Sequence, residues 1–575
     1  MIRRVLTLAV ALACVSLPAA VHAQEAMDGR VDIPWNRYST YAEIEEQLKE
    51  IAAAYPELVE LKSIGTSVEG RPLWVAIVNG KGDHREKPAM WIDGNVHGNE
   101  IQAAEAVTYT LWYLTRAYGQ NEDLTDLLDR VAFYLMPSAN PDGREAWFRG
   151  PSTPSTSRQT RRPTYNDLDV QIDEDGPDDL DGDGSITQMW ARDPAGQWVR
   201  DRFDPRIFRR VPAGERGEWT RLGQEGIDND GDGRINEDGP FGDDMNRAYP
   251  GDWQPSYVQR GAGDYPLRTP ETRSIARFIL EHPNIAATQS YHNTGGMLLR
   301  GPGAPYQASK YSRADRQVYD ELGRLGSRMI PYYRYLIVEE DLYTVHGGFV
   351  TWAAESLGIV SFTNELWTVG KYFQRDGRRD EDDTWLWRDR LAFGQEFKDY
   401  EEVEHPDFGT VLVGGPNKWS SRQTPTFMLE EECHRNFAFT MMHADAMPEV
   451  TAETVSVTPM ASGLWAVTIE LRNHRLIPTR MPVAVRDAIG KPDLVTLSGV
   501  EVVASGELSS RFDRTITEVS PREPGRVVLE RGIGSRQARL MRFIVRADRG
   551  DVLALRYTAE KASDIEHRVA IEEMD

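Results

Sequence analysis

The apolar positions of this chain keep two rhythms, and the change comes at about residue 449. Before it, Tyr41 to Ile51 places apolar residues at helical spacing and Pro56 ends the pattern, which predicts a helix over about 38–55. Leu58–Ile64 and Leu73–Val78 predict strands around the turn Glu69-Gly70-Arg71-Pro72. Pro88–Ile92 predicts a buried strand, Ile101 begins a helix that runs to about Tyr118, and Val131–Met136 predicts the next strand. Asp244–Arg247 reads as the end of a strand, and Thr269-Pro270 starts a helix with Pro just inside it. Ala286–His292 and Ile359–Thr363 predict strands, Gly347-Gly348 opens a helix over Phe349–Leu357, and a last helix covers Met428–Met442. Strands alternating with helices predict an α/β fold, a mainly parallel mixed sheet flanked by helices, over residues 30–447. After residue 449 the runs are short and alternate: Thr454–Val457, Trp465–Leu471, Val483–Val485, Val527–Leu529, Arg542–Arg546 and Val552–Leu555. They predict a small all-β sandwich over 450–575.

Residues 150–243 keep neither rhythm; Pro, Ser, Thr, Asp and Gly dominate them. Within this insertion Asn166–Pro177 aligns with Asn229–Pro240, and Asp179–Ile186 lies between the copies. Asp179, Asp181, Asp183 and Asp228, Asp230, Asp232 alternate along two loops, each followed by Gly and then Ile. This resembles the front half of an EF-hand-type calcium loop. Trp190 and Gly239 stand where the bidentate Glu of such a loop belongs. Calcium is therefore one expectation for these loops, and a solvated acidic insertion without an ion is the other.

The N-terminus predicts a signal peptide over 1–23: Arg3-Arg4, the apolar Val5–Leu12, and the small-residue ending Val21-His22-Ala23. Export to the periplasm or the medium follows, with a lipid anchor on Cys14 as the competing reading. No later stretch is long and apolar enough to predict a membrane span. A net charge of −24 argues against a nucleic-acid partner. After processing only Cys433 remains, so no internal disulfide forms. Its neighbours Glu431 and Glu432 disfavour a thiolate and predict a buried structural thiol.

The candidate chemistry sits at strand ends. His97 and Glu100 lie on a strand-to-helix turn, and His292 ends a strand. Two His and one Glu are the ligand set of hydrolytic zinc sites, with a position left for water. Glu365 ends a further strand, where a carboxylate could take a proton from that water. Arg247 offers a guanidinium fork for a carboxylate.

With these residues in place, residues 38–445 resemble the zinc carboxypeptidase family, the family of carboxypeptidase A. Glu69-Gly70-Arg71-Pro72, His97-Gly98-Asn99-Glu100, Asn140-Pro141-Asp142-Gly143 and Asp244-x-Asn246-Arg247 match motifs of that family in the same order. The resemblance implies His97, Glu100 and His292 as zinc ligands and Asp244 as the partner that orients a zinc His. It implies Asn246 and Arg247 as holders of the substrate's terminal carboxylate, Tyr343 as a mobile cap, and Glu365 as the catalytic Glu. The family's oxyanion-stabilising Arg falls where this chain enters its insertion; Arg158, Arg161, Arg162 and Arg192 compete, with Arg158 the preferred candidate. Val350 stands where relatives that select basic residues carry Asp, so the resemblance implies no basic preference through that position. The match begins soon after the signal, which leaves no room for the family's activation propeptide.

A metallocarboxypeptidase acting on peptide or protein C-termini is the resulting expectation. A related zinc amidase or cell-wall peptide hydrolase on the same fold, and an inactive calcium-dependent binding protein, are the alternatives. The sequence shows no catalytic cluster in 450–575.

Overall fold

A computed structural model describes residues 27–574 except 165–171, 238–241, 374–380 and 514. The signal-peptide stretch, Cys14 and the start of the first repeat copy lie outside the described residues. In chain order the described residues begin with α1 (Tyr41–Ala54), β1 (Val59–Thr66), β2 (Pro72–Val78), β3 (Ala89–Gly94), α2 (Ile101–Ala117), α3 (Glu122–Arg130), β4 (Ala132–Met136) and α4 (Pro141–Arg149). The insertion supplies β5 (Gln188–Arg192), β6 (Trp198–Arg200), β7 (Phe208–Arg210) and β8 (Trp219–Gln224). Then follow α5 (Pro270–Glu281), β9 (Ile285–Asn293), β10 (Met297–Arg300), α6 (Arg313–Met329), β11 (Arg334–Ile337), α7 (Phe349–Leu357), β12 (Val360–Leu366), β13 (Phe397–His405) and β14 (Gly409–Pro416).

The central sheet has the order β1-β2-β4-β3-β9-β12-β10-β11. Its middle is parallel: β3 pairs with β4 and β9, and β12 pairs with β9. Every residue of β3, β4 and β9 is buried. That is why these strands read as unbroken apolar runs, as strands covered by helices on both faces do. Local chemistry starts the helices. Thr40 and Glu43 close a capping box on α1, and Thr269 caps α5 with Pro270 in its first turn. Residues 450–574 fold into antiparallel sheets of five and four strands. Val467 and Phe543 of one pack with Val495, Leu553 and Tyr557 of the other in one core.

Three expectations need correction. Asp244–Arg247 does not end a strand. Met245–Arg247 is a single 3-10 turn, and the Asp244 carboxylate accepts from the Asn246 amide at 2.9 Å, a local bond that competes with strand pairing. The insertion has regular structure, a sheet of order β13-β14-β5-β8-β6-β7. Its small core sets Met189 against Val411 and Val413, and Trp190 stacks on Phe208 at 3.8 Å. Val483–Val485 lies in a short helix, Pro482–Arg486, because Pro482 takes the first helical position.

Candidate functional site

The site lies at the carboxyl ends of β3, β9 and β12, where open α/β sheets place their ligands. β3 ends at Gly94, and the turn to α2 presents His97 and Glu100. Gly98 lets that turn approach the start of α4: a Cβ there would lie 2.3 Å from both Gly143 C and Ser157 O. Asn95 pins the turn from inside, donating from its amide to His97 O at 2.8 Å and Gly98 O at 3.1 Å. His292 is the next-to-last residue of β9 and lies directly beside Glu365 of β12 in the parallel ladder.

His97, Glu100 and His292 converge, all buried. His97 Nδ1 is 2.9 Å from Glu100 Oε1, His292 Nδ1 is 2.8 Å from Glu100 Oε2, and the two Nδ1 atoms are 3.2 Å apart. Behind them His97 Nε2 meets Asp244 Oδ1 at 3.0 Å. A proton on Nε2, held by that carboxylate, leaves the Nδ1 lone pair turned toward the other two donors. Burial opposes the Asp244 charge, but His97, Arg158 and Arg247 outweigh it and hold the carboxyl well below its ordinary range. Two imidazoles and a carboxylate facing one point, with an outer carboxylate fixing one ring, fit a divalent metal such as zinc.

Around this trio the structure gathers most of the expected residues. Arg158 donates from Nη1 to Glu100 Oε1 at 3.1 Å and from Nε to Asp244 Oδ2 at 3.3 Å. Its rivals Arg161 and Arg192 lie elsewhere, one bonded to Glu69 and the other over Trp219. Asn246 Nδ2 approaches His292 Nε2 at 3.5 Å, and its Oδ1 accepts from the Phe349 amide at the start of α7. Arg247 Nη2 lies 3.5 Å from the hydroxyl of Tyr343, a side chain 58% exposed. Gly347, at φ +63°, lets the α7 turn pass the Arg247 backbone, where a Cβ would come within 2.3 Å of Arg247 O. Burial and the neighbouring Glu100 carboxylate push the Glu365 carboxyl up to about 7. Asp142 is taken up structurally: it accepts from Ser67 at 2.6 Å, Arg71 at 2.7 Å and the Glu69 amide at 2.8 Å. Cys433 is buried, and burial pushes its thiol well above the ordinary value.

Sequence reasoning missed one residue of this site. Arg422, from the segment after β14, donates from Nη1 to Asn293 O at 3.2 Å and stands 3.9 Å from Glu100 Oε1. Its signal was absent because nothing near Arg422 in sequence carries site chemistry.

The two acidic loops each draw their Asp side chains together. The carboxylates of Asp179, Asp181 and Asp183 lie within 4.8 Å of one another, as do those of Asp228, Asp230 and Asp232. Both triads are partly exposed and spend much of their bonding on their own loop amides. Among the described residues no helix is long and apolar enough to cross a membrane.

Residues 44–379 match the family model of zinc carboxypeptidases, and 449–570 match that of a domain of unknown function. Mouse (Mus musculus) carboxypeptidase M is 35% identical over 136 residues, 23% of this chain and 30% of that protein. Pig (Sus scrofa) carboxypeptidase A1 is 24% identical over 340 residues, 58% of this chain and 64% of that protein. The chain thus spans less than two thirds of the length of either relative. A crystal structure of thrombin activatable fibrinolysis inhibitor aligns at TM-score 0.43 and 19% identity, covering 72% of this chain and 74% of the other. Since the family match takes in more than half of the 575 residues and both ends of the metal-ligand trio, the protein belongs to the zinc carboxypeptidase family.

Proposed function

We propose that the protein is a metallocarboxypeptidase that hydrolyses the C-terminal peptide bond of peptides or proteins. The family implies zinc, and His97, Glu100 and His292 are the residues that would hold it. When bound, zinc supplies Lewis-acid polarisation of a carbonyl and of water. The chain's own residues do the rest. Asp244 keeps the proton of His97 on Nε2. Glu365, on the strand beside His292, receives a proton from the attacking water and passes it to the leaving amine. Arg158, already paired with Glu100 and Asp244, offers its remaining N–H groups to developing negative charge on the carbonyl oxygen.

The observation that carries the exopeptidase reading is the Arg247–Tyr343 pair beside Asn246. A terminal carboxylate differs from an internal peptide bond by one negative charge, and a guanidinium fork with a hydroxyl and an amide nearby reads that charge. The test is kcat/KM for matched peptides with a free or amidated C-terminus. Wild type should favour the free acid strongly, because an amide leaves the guanidinium without its counter-charge. Arg247→Ala should lose most activity on the acid and much of the preference, and Arg247→Lys should restore part. Equal cleavage of acid and amide by wild type would move the reading to the amidase alternative.

Two further parts of the reading rest on narrower ground. The signal sequence supports export to the periplasm or the medium. Carboxylate crowding supports calcium at the two acidic loops. There Lys398 Nζ lies 3.7 Å from the Asp181 carboxylate, the one cation within 4 Å of that triad among the described residues.

A further inference from the structure

Arg422 is a guanidinium beside the trio that the proposed mechanism does not use. It lies beyond the residues matched to the family, on the segment between β14 and the helix Leu429–Asp445. That segment is fastened to the site. Gln423 donates to Asn99 O at 2.9 Å, Thr424 donates to Gln102 at 2.6 Å, and Asn293 donates to Arg422 O at 3.3 Å. The Arg422 side chain is 30% exposed. A guanidinium carries five N–H donors. Among the described residues Arg422 makes a single side-chain hydrogen bond, to Asn293 O, and the one carboxylate within 4 Å of it is Glu100, at 3.9 Å and already committed to the metal-ligand trio. Most of its fork is unspent, in a chain whose net charge is −24.

Arg422 and Arg247 have different partners around the trio. Arg247 touches Asn246 and Tyr343, and its charge acts on Asp244. Arg422 touches Asn293, the residue after His292, and its charge acts on Glu365. Asn246, next to Arg247, approaches His292 on one side, and Asn293, next to His292, holds Arg422. A peptide laid from Arg247 across the trio to Asn293 would bring its residue on the acyl side of the scissile bond to Arg422.

We infer that Arg422 makes the subsite on the acyl side of the scissile bond a carboxylate receptor, so that the preferred substrates carry an acidic group on the residue preceding the bond that is cut. This rests on the carboxypeptidase reading for the direction in which the peptide lies. The carboxylate can come from two sources, the side chain of an Asp or Glu in an ordinary peptide link, or the free α-carboxylate of a glutamate linked through its γ-carboxyl. Both present the planar pair of oxygens that a guanidinium fork accepts.

The experiment uses the zinc-loaded full chain and N-blocked peptides with one common C-terminal residue. The preceding residue is Glu, Gln, Ala, Lys or γ-linked Glu. Wild type should cleave the Glu peptide or the γ-linked peptide on the order of tenfold or more faster, in kcat/KM, than the Gln peptide, as a charge-assisted bidentate contact requires. Which of the two is favoured identifies the source of the carboxylate. In Arg422→Met, which keeps much of the apolar stem, that ratio should collapse toward one. In Arg422→Lys it should be partly kept and become more sensitive to salt. A wild-type ratio of one or less overturns the inference even if no variant folds. So does a ratio that survives in Arg422→Met, or a loss in that variant that is equal for every peptide. The acid and amide pair that tests Arg247 is read separately, so failure of the carboxypeptidase reading and failure of this one are distinguishable.

Discussion

Among the described residues three groups of side chains each bring three metal-type donors within 4.8 Å: the His97, Glu100, His292 trio and the two Asp triads of the insertion. Donor spacing does not separate them; surroundings do. The trio is buried at the ends of strands, and its members come from elements 195 residues apart in sequence. Asp244 fixes one ring from behind, and Arg158 and Arg422 stand over Glu100. Each triad comes from one short loop and is partly open to water, and its carboxylates accept from the loop's own amides. The trio can therefore impose geometry on an ion, whereas each triad would acquire rigidity from one. A ligand set held by the fold supports chemistry, and one held by a loop supports at most the loop's own order.

The first way to break this comparison carries the largest expected effect. Glu365→Gln keeps size and position but cannot accept a proton. Turnover should fall by at least about two orders of magnitude, as for loss of a general base. Zinc content by atomic absorption should be unchanged, since Glu365 is no member of the trio. Near-normal turnover would mean that another group activates the water.

The second expected effect is smaller and falls on stability rather than chemistry. The triple change Asp179→Asn, Asp181→Asn, Asp183→Asn should leave zinc content intact. It should remove the share of the calcium-dependent rise in melting temperature and in protease resistance of the insertion that this triad supplies, leaving the share of Asp228, Asp230 and Asp232. At a hundred times its Kd, bound calcium would add about 2.7 kcal/mol. Chelation strips zinc as well, so zinc is restored before each reading. If wild-type protein with zinc shows no response to calcium, the triads are merely acidic loops.

The same contrast explains what could be read from sequence. The trio and Glu365 were legible because they sit where strands end, and strand ends are local signals: the apolar run before His97 and Glu100, the run ending in His292, the run before Glu365. Asp244 and Arg247 stood out by their motif but were misread as structure, because a 3-10 turn and a strand end look alike over four residues. The insertion sheet was hidden since its strands are as short as three residues and pair through β5 with β14, more than two hundred residues later. Arg422 was hidden for the same reason. The contact that places its segment, Gln423 to Asn99, spans 324 residues, and no periodicity records it.

The account stands or falls on the trio. The measurement is zinc content together with peptidase activity in wild type and in His292→Ala, with folding checked by circular dichroism. Wild type should hold one zinc per chain and cleave free-acid peptides, while His292→Ala should stay folded and lose both the metal and the activity. A folded His292→Ala protein that keeps full zinc and full activity would contradict the central claim.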